Sequence, residues 1–376
     1  MNKLRPPVRL SRIGVLTLIR PEGAVVEYVG IDWATRRAAW CALNAAGEVI
    51  GEGFVPADLD GVLRLAASRT GEVGATIEMM SGAAWVAETL EAAGWQVKVA
   101  DSRRTRALAP LAAKTDKIDA RVLAELARRD LVPAVWVPPV ADRALLEQLL
   151  RRMHLVRLRT SCKNRVFGIL TQWGVRISIR RLRKADGLVL LEQHGVPEVW
   201  RQSVREALQA IDYLDERVAE LDAVLRPLAR EDERARLLAT IPGVGPLLAL
   251  TIACTVGDVS RFGSASRLVG YSGLVPRVYQ SGESSRTGRL SKAGSPLLRW
   301  AAVEAAQHAW RPQNPWHRLY VDVRRRHGHG NAAKAAVARK VLIAAWHVLS
   351  RNEPFKPAAR VAAPIVPASS SQPMAA

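Results

Sequence analysis

Residues 25–55, VVEYVGIDWATRRAAWCALNAAGEVIGEGFV, decide how the first third of the chain folds. The runs VVEYVGIDW, RAAWCAL and EVIGEGFV are rich in Val, Ile, Tyr, Trp and Phe. Those side chains suit a pleated, half-buried surface. Between the second and third runs, NAAGE supplies the Asn and Gly that turn a chain back on itself. Three short runs so joined predict an antiparallel meander.

Outward from the meander, the pattern alternates. A helix is expected at about 58–69, a buried strand at GATIEMM (74–80), a helix at about 83–93 and a strand at WQVKVAD (95–101). DARVLAELARR then repeats its apolar residues every three or four positions, the spacing of an amphipathic helix. Three meander strands followed by alternating helix and strand is the order of a ribonuclease-H-like α/β domain, placed here at 25–140. A small Rossmann-like domain would imitate the second half of that order but not the first.

From 141 to 233 the chain reads as a basic helical arm. RALLEQLLRRMHLVRLRTSCKNRVFGILTQWG runs for over thirty residues with no interior Pro or Gly before Gly168, and VREALQAIDYLDERVAELDAVLRPL carries a heptad-like apolar seam. The pair predicts an antiparallel coiled coil. Eleven Lys or Arg and no Asp or Glu lie between Arg151 and Lys184. A solvated face usually mixes signs, so this run, Arg180, Arg181, Arg183 and Lys184 included, is expected against nucleic acid.

The last region, 234–352, is expected to be mostly α-helical. IPGVGPLLAL has the pattern of a helix-hairpin-helix, in which Gly243 and Gly245 let backbone amides approach a phosphate. A polar, Gly-rich loop follows at 277–299, RVYQSGESSRTGRLSKAGSPLLR. Trp310 and Trp316 are expected in the core. In RRRHGHG, His327 and His329 suit phosphate or backbone contacts better than metal ligation. Residues 1–24 read as a loose leader and 353–376 as a disordered tail rich in Pro, Ala and Ser.

Composition narrows the function. The 376 residues hold 55 Lys and Arg against 35 Asp and Glu, a net charge of +20. Such a surplus points to a polyanion, because basic side chains at phosphates release condensed counterions. The three cysteines, Cys41, Cys162 and Cys254, are scattered and odd in number, which argues against a disulfide framework or zinc site and fits a reducing cytoplasm. The apolar runs IGVLTLI and LLALTIACTVG fall well short of the ~20 residues a membrane-spanning helix needs.

Four carboxylates stand at element ends: Asp32 closing the first strand, Glu78 closing the fourth, and Asp116 and Asp119 heading a helix at i, i+3. Singly, Asp32 suits a turn cap, Glu78 an arginine pair and Asp116 a helix N-cap. Together they occupy the positions at which a ribonuclease-H-like domain gathers acids. Converging carboxylates need a cation to stay ionised, and oxygen-only donors favour Mg²⁺ or Mn²⁺.

GIDWA, TIEMMSG, KTDKIDA, IPGVGPLLAL, YSGLVPRVYQSG and GRLSKAGSPLLRW together resemble the DEDD transposases of the IS-one-ten insertion-sequence family, over about residues 26–350. The resemblance implies a RuvC-like domain whose tetrad is Asp32, Glu78, Asp116 and Asp119. It implies a C-terminal transposase domain whose QSG motif offers Ser281 as nucleophile. It also implies a guide RNA, DNA as substrate and a homo-oligomer, dimer or tetramer, in which protomers complete the site. Chemistry alone chooses weakly among Ser281, Ser284, Ser285, Ser291 and Ser295. What favours a nucleophile in this loop is its company, since Arg277, Arg286, Arg289, Lys292 and Arg299 suit a scissile phosphate. The competing readings are a RuvC-like junction nuclease using water, and a nucleic-acid-binding protein without catalysis.

Overall fold

The computed structural model describes residues 26–108, 115–281 and 284–357. The leader at 1–24, most of the tail at 353–376, and Lys114 lie outside them. The chain divides after Val137 into two compact units.

The first unit is built on a five-stranded sheet. The expected meander is β1 (Val26–Trp33), β2 (Arg37–Leu43) and β3 (Val49–Pro56). Helix α1 (Leu59–Ala67), β4 (Glu72–Glu78), α2 (Ala83–Ala92), β5 (Gln96–Ala100), α3 (Ser102–Leu108) and α4 (Asp116–Arg128) follow. The strand order is β3-β2-β1-β4-β5. β1 pairs antiparallel with β2 and parallel with β4, and β4 pairs parallel with β5.

Alternation along the strands sorts side chains to two faces. Val29 and Ile31 of β1, with Val73, Ala75 and Ile77 of β4, form one core with Val62, Leu65, Val86 and Leu90 of α1 and α2. On the other face, Ala39, Cys41 and Leu43 of β2 pack on Ala120 and Ala124 of α4. Tyr28, Gly30 and Asp32, and likewise Gly74, Thr76 and Glu78, therefore belong to the α4 face.

The second unit is helical apart from one hairpin. It runs α5 (Val140–Gln172), α6 (Ile179–Leu182), α7 (Gly187–Gln193), α8 (Glu198–Glu231), α9 (Glu233–Leu238), α10 (Pro246–Val256) and α11 (Ala265–Ser272). Then come β6 (Pro276–Ser281), β7 (Ser284–Leu290), α12 (Pro296–Ala305), α13 (His317–His327) and α14 (Gly330–Arg351). The loop read from sequence at 277–299 is thus a correction: β6 and β7 pair antiparallel through most of it. Its alternate positions are polar on both faces, so periodicity gave no strand signal.

α5 and α8 pack along each other. Arg152 pairs with Asp222, Arg159 with Asp215, and Arg165 bonds Ser203, a falling register that makes the helices antiparallel. α10, α12 and α14 build the main core of this unit through Leu250, Ile252, Leu298, Ala302, Val337 and Leu342. Trp316 packs against that core. Trp310 departs from expectation: it is 52% exposed, with the Arg311 guanidinium 5.6 Å from its ring. Among the described residues, no helix is long and apolar enough to cross a membrane.

Candidate active site

Parallel register sets the first pair of acids. Ile31 lies opposite Ile77, so the next residues, Asp32 and Glu78, end neighbouring strands side by side on the α4 face. Adjacent strands run ~4.8 Å apart, close enough for two carboxylates to share a cation.

Gly30 brings in the second pair. A Cβ built there would stand 1.9 Å from the Ala120 carbonyl oxygen and 2.4 Å from the Ala124 nitrogen. Only a residue without a side chain lets α4 lie that close to β1. Tyr28 lies beside Ala127 and Arg128, and Gly30 beside Ala120 and Ala124, so β1 climbs toward the N-terminus of α4. Asp32, two residues beyond Gly30, is thereby directed to the first turn of α4, which carries Asp116 and Asp119. Thr115 starts that helix, its Oγ1 accepting a hydrogen bond from the Ile118 amide at 3.3 Å. Acids in a first turn are favoured by the helix dipole. The cap read for Asp116 from sequence belongs to Thr115.

All four acids are half-buried and reachable by solvent. Asp116 lies 3.7 Å from Arg37, whose guanidinium sits 4.2 Å from the Phe54 ring centre. Lys117 turns to Glu52 at 2.9 Å. The donor set, all oxygen and on one face, fits a hard divalent cation in type. Convergence does not follow: among the described residues, no three His, Cys, Asp or Glu side chains are gathered to hold an ion. At Asp116, Arg37 supplies the positive charge instead.

Sequence reasoning missed two features here. One is Gly30, a bare glycine in a strand, which commonly signals close backbone approach. The other is α3, whose exposed Arg103, Arg104 and Arg106 follow β5 at the strand ends that carry Asp32 and Glu78. The Asp101 carboxylate caps this helix, accepting from the Arg103 and Arg104 amides at 2.9 and 3.0 Å.

In the second unit, Ser281 is the last residue of β6 and pairs in register with Ser284. The side chains of Ser281, Ser284 and Ser285 lie outside the described residues. Of the other serines, Ser295 caps α12, accepting from the Leu298 amide at 3.2 Å, and Ser291 donates to the Gly273 carbonyl at 3.4 Å. Arg277, Arg286, Arg289 and Lys292 are exposed. Arg299 is committed elsewhere, donating through Nη1 to the Ser272 and Lys292 carbonyls at 2.8 and 3.2 Å.

The glycines between α9 and α10 differ. Gly243, at φ +90°, lies against α12, where a Cβ would meet the Ala305 carbonyl oxygen at 2.1 Å. Gly245 has open space around it and caps α10. On the arm, Arg181 is held by Asp186, and Arg183 by Asp212 and Asp215. Arg180 and Lys184 are exposed. Burial pushes the Cys254 thiol up to about 12 and raises that of Cys41, which disfavours the thiolate at both.

Known proteins match on both sides of this geometry. Residues 29–174 match a family model for DEDD transposases, described as a transposase, and residues 235–322 match that of the transposase IS116/IS110/IS902 family. A probable family 20 transposase of Pseudomonas aeruginosa is 29% identical over 256 residues, 65% of this chain and 74% of that protein. The transposase for insertion sequence element IS1328 of Yersinia enterocolitica is 29% identical over 288 residues, 74% of this chain and 84% of that one. The transposase for insertion sequence element IS1111A of Coxiella burnetii is 27% identical over 253 residues, 65% and 68%.

A carboxylate-bearing α/β unit joined to a basic helical unit is the build of a DNA-processing protein. This chain belongs to the IS110/IS116/IS902 family of insertion-sequence transposases. A DEDD domain implies a RuvC-like fold, and the strand order seen here agrees with it.

Proposed function

We propose that the chain moves its insertion sequence by metal-dependent DNA strand exchange with a serine nucleophile, under the direction of a structured RNA. The observation that carries the metal half is the shared face of Asp32 and Glu78, aimed at the α4 turn that bears Asp116 and Asp119. These four would hold Mg²⁺ or Mn²⁺, which would polarise a phosphate oxygen and stabilise a leaving one. Arg37 would yield Asp116 to the ion. Arg103, Arg104 and Arg106 would hold the flanking DNA phosphates.

Ser281 is the nucleophile of this proposal, on the QSG motif and the exposed cations of its hairpin. Its Oγ bonds to the scissile phosphorus, the phosphorus–oxygen bond to one DNA end breaks, and that end leaves as a hydroxyl, receiving the proton that serine loses. A hydroxyl of a second DNA end then attacks the same phosphorus and restores serine. One phosphodiester replaces another, so no further reagent is needed. The RuvC-like unit, the α5–α8 arm as a coiled coil and a helix-hairpin-helix at Gly243 and Gly245 are the working parts. Guide RNA and a dimeric or tetrameric assembly complete the reading; both rest on the motif resemblance.

The test is a denaturing gel with labelled DNA, followed by peptide mass mapping. Wild type should form a DNA adduct at Ser281. Ser281→Ala should lose both adduct and strand exchange while keeping RNA binding. Full cleavage by Ser281→Ala without an adduct would hand the chemistry to water and the junction-nuclease reading.

A further inference from the structure

The sheet face that bears Asp32 and Glu78 is covered unevenly. α4 packs on β1, β2 and β4, while on β5 the same face leaves Gln96 and Lys98 exposed. A cavity of about 280 Å³ lies there, beside the C-terminal turn of α4. Tyr28, Gly74 and Gln96 form one row of its lining across β1, β4 and β5, and Thr76 and Lys98 belong to the next row on that face.

Gly74 leaves bare backbone in the middle of the first row. A Cβ built on it would meet only the Tyr28 ring, at 3.8 Å, so a flat body has room to lie there. Thr76 is wholly buried, and its hydroxyl has no hydrogen-bond partner among the described residues. Its neighbours Ala75 and Ile77 enter the core of α1 and α2, so Thr76 faces the cavity side. A buried hydroxyl without a partner is costly, and a guest in the cavity would supply one.

The charges around the cavity are matched. Asp130 holds Lys98 at 2.5 Å, Glu125 holds Arg128 at 2.7 Å, and Glu72 accepts from the Gln96 amide nitrogen at 2.9 Å. A bare anion would meet Glu72 and Asp130, and a bare cation Lys98 and Arg128. What suits the lining is a neutral ring with donors and acceptors on its edge, since Thr76 both gives and accepts and the Gln96 amide oxygen accepts. The volume lies just below the ~300–1,000 Å³ of ordinary small-molecule sites, enough for one ring system and not for a stacked pair. Thr76 precedes Glu78 by two residues, ~6.6 Å along the strand, so the cavity lies beside the acids and contains none of them.

We infer that this cavity takes one unpaired nucleobase, with Thr76 and Gln96 bonding its edge and Tyr28 beside its ring. A base is open to such contacts only when it is out of a duplex. A base in a strand and a free nucleotide present the same ring edges. The site uses neither Ser281 nor the four acids, so it stands or falls apart from the strand-exchange reading.

The experiment uses the full chain as wild type, Thr76→Val and Gly74→Val. Calorimetry measures binding of AMP, GMP, CMP and UMP, of ribose 5-phosphate as the base-free control, and of short single-stranded DNA and RNA at high salt, which mutes phosphate contacts. At least one nucleotide should bind wild type, and ribose 5-phosphate should not. Loss of one hydrogen bond in Thr76→Val should weaken that nucleotide about five- to tenfold. Gly74→Val, which fills the space over the backbone, should abolish it. The same losses with DNA or with RNA would identify the strand that supplies the base, and losses with the nucleotide alone would make the ligand a free nucleotide. Wild type that binds no nucleotide, equal binding of ribose 5-phosphate, or binding unmoved in either variant would overturn the site. Thr76→Val keeps the side chain's shape and should hold or raise the melting temperature; should Gly74→Val melt lower, Thr76→Val decides alone.

Discussion

The tetrapeptides DKID (116–119) and DYLD (212–215) carry the same pair of aspartates, three apart on a helix. In α8, Asp215 meets Arg159 at 2.7 Å and Arg183 at 3.2 Å, and Asp212 also holds Arg183. In α4, the first turn lies toward the sheet face that bears Asp32 and Glu78, and Arg37 stands 3.7 Å from Asp116. One pair braces helices. The other heads a helix turned toward the strand ends that bear Asp32 and Glu78, with no three acids gathered at one point among the described residues. Spacing is common to both; what differs is which strand or helix is packed opposite.

The sharpest way to break that comparison is to delete one acid from each. Asp32→Ala and Asp119→Ala should each lower strand exchange by well over the ~10–100-fold typical of losing an outer-shell metal partner, with melting temperature held or raised. Near-normal exchange by either variant would remove the acids from the chemistry. Asp215→Ala should do the reverse, costing about 1–3 kcal/mol in urea unfolding because Arg159, largely buried, loses its acceptor. A variant as stable as wild type would make the DYLD brace decorative.

Acid should separate the two pairs next. Burial pushes the Asp215 carboxyl up, but the hydrogen bond and charge of Arg159, with the charge of Arg183, outweigh it and leave it lowered. Asp222 is lowered in the same way, by Arg152 and Arg226 against burial. A lowered folded value gives stabilisation that is complete above the ordinary aspartate value of ~3.9 and lost as pH falls through the folded one. Unfolding followed from pH 5 downward should therefore lose part of its slope in Asp215→Asn. An unchanged profile would show the brace to be silent.

The smallest effect concerns the arm's free cations. Arg180→Gln with Lys184→Gln should flatten the log–log salt dependence of nucleic-acid binding by up to ~0.9 per lost phosphate contact. Arg183→Gln, already matched by two aspartates, should instead alter stability and leave the slope nearly alone. Equal slopes for both sets would erase the distinction between paired and free arginines.

The meander was readable because each strand repeats its own local signal. The start of α4 was readable because two acids and an apolar period coincide within a dozen residues, although the cap itself is Thr115 and not Asp116. The charge of the arm was not. The run from Arg151 to Lys184 holds no acid, yet Arg152, Arg159 and Arg183 find theirs on α8, up to seventy residues on. Local composition carries no information about such partners. Ser281 is the opposite case: its motif was explicit, while the hairpin that holds it was hidden, because neither face of β6 or β7 is apolar. Gly243 read as a phosphate contact, and its backbone lies on the Ala305 carbonyl, an approach that no one-dimensional pattern displays.

Gly30 has a consequence for mutational scanning. Replacement by alanine is a deletion nearly everywhere, but here it is an insertion, of one methyl into a gap already closed by the Ala120 carbonyl. A scan that ranks residues by intolerance would place Gly30 beside residues needed for chemistry, although its part is in packing. On the proposed function the acids would resist replacement for a ligand, whereas Gly30 resists it for the room it leaves. Only a measurement that separates folding from turnover would tell the two kinds of essential residue apart.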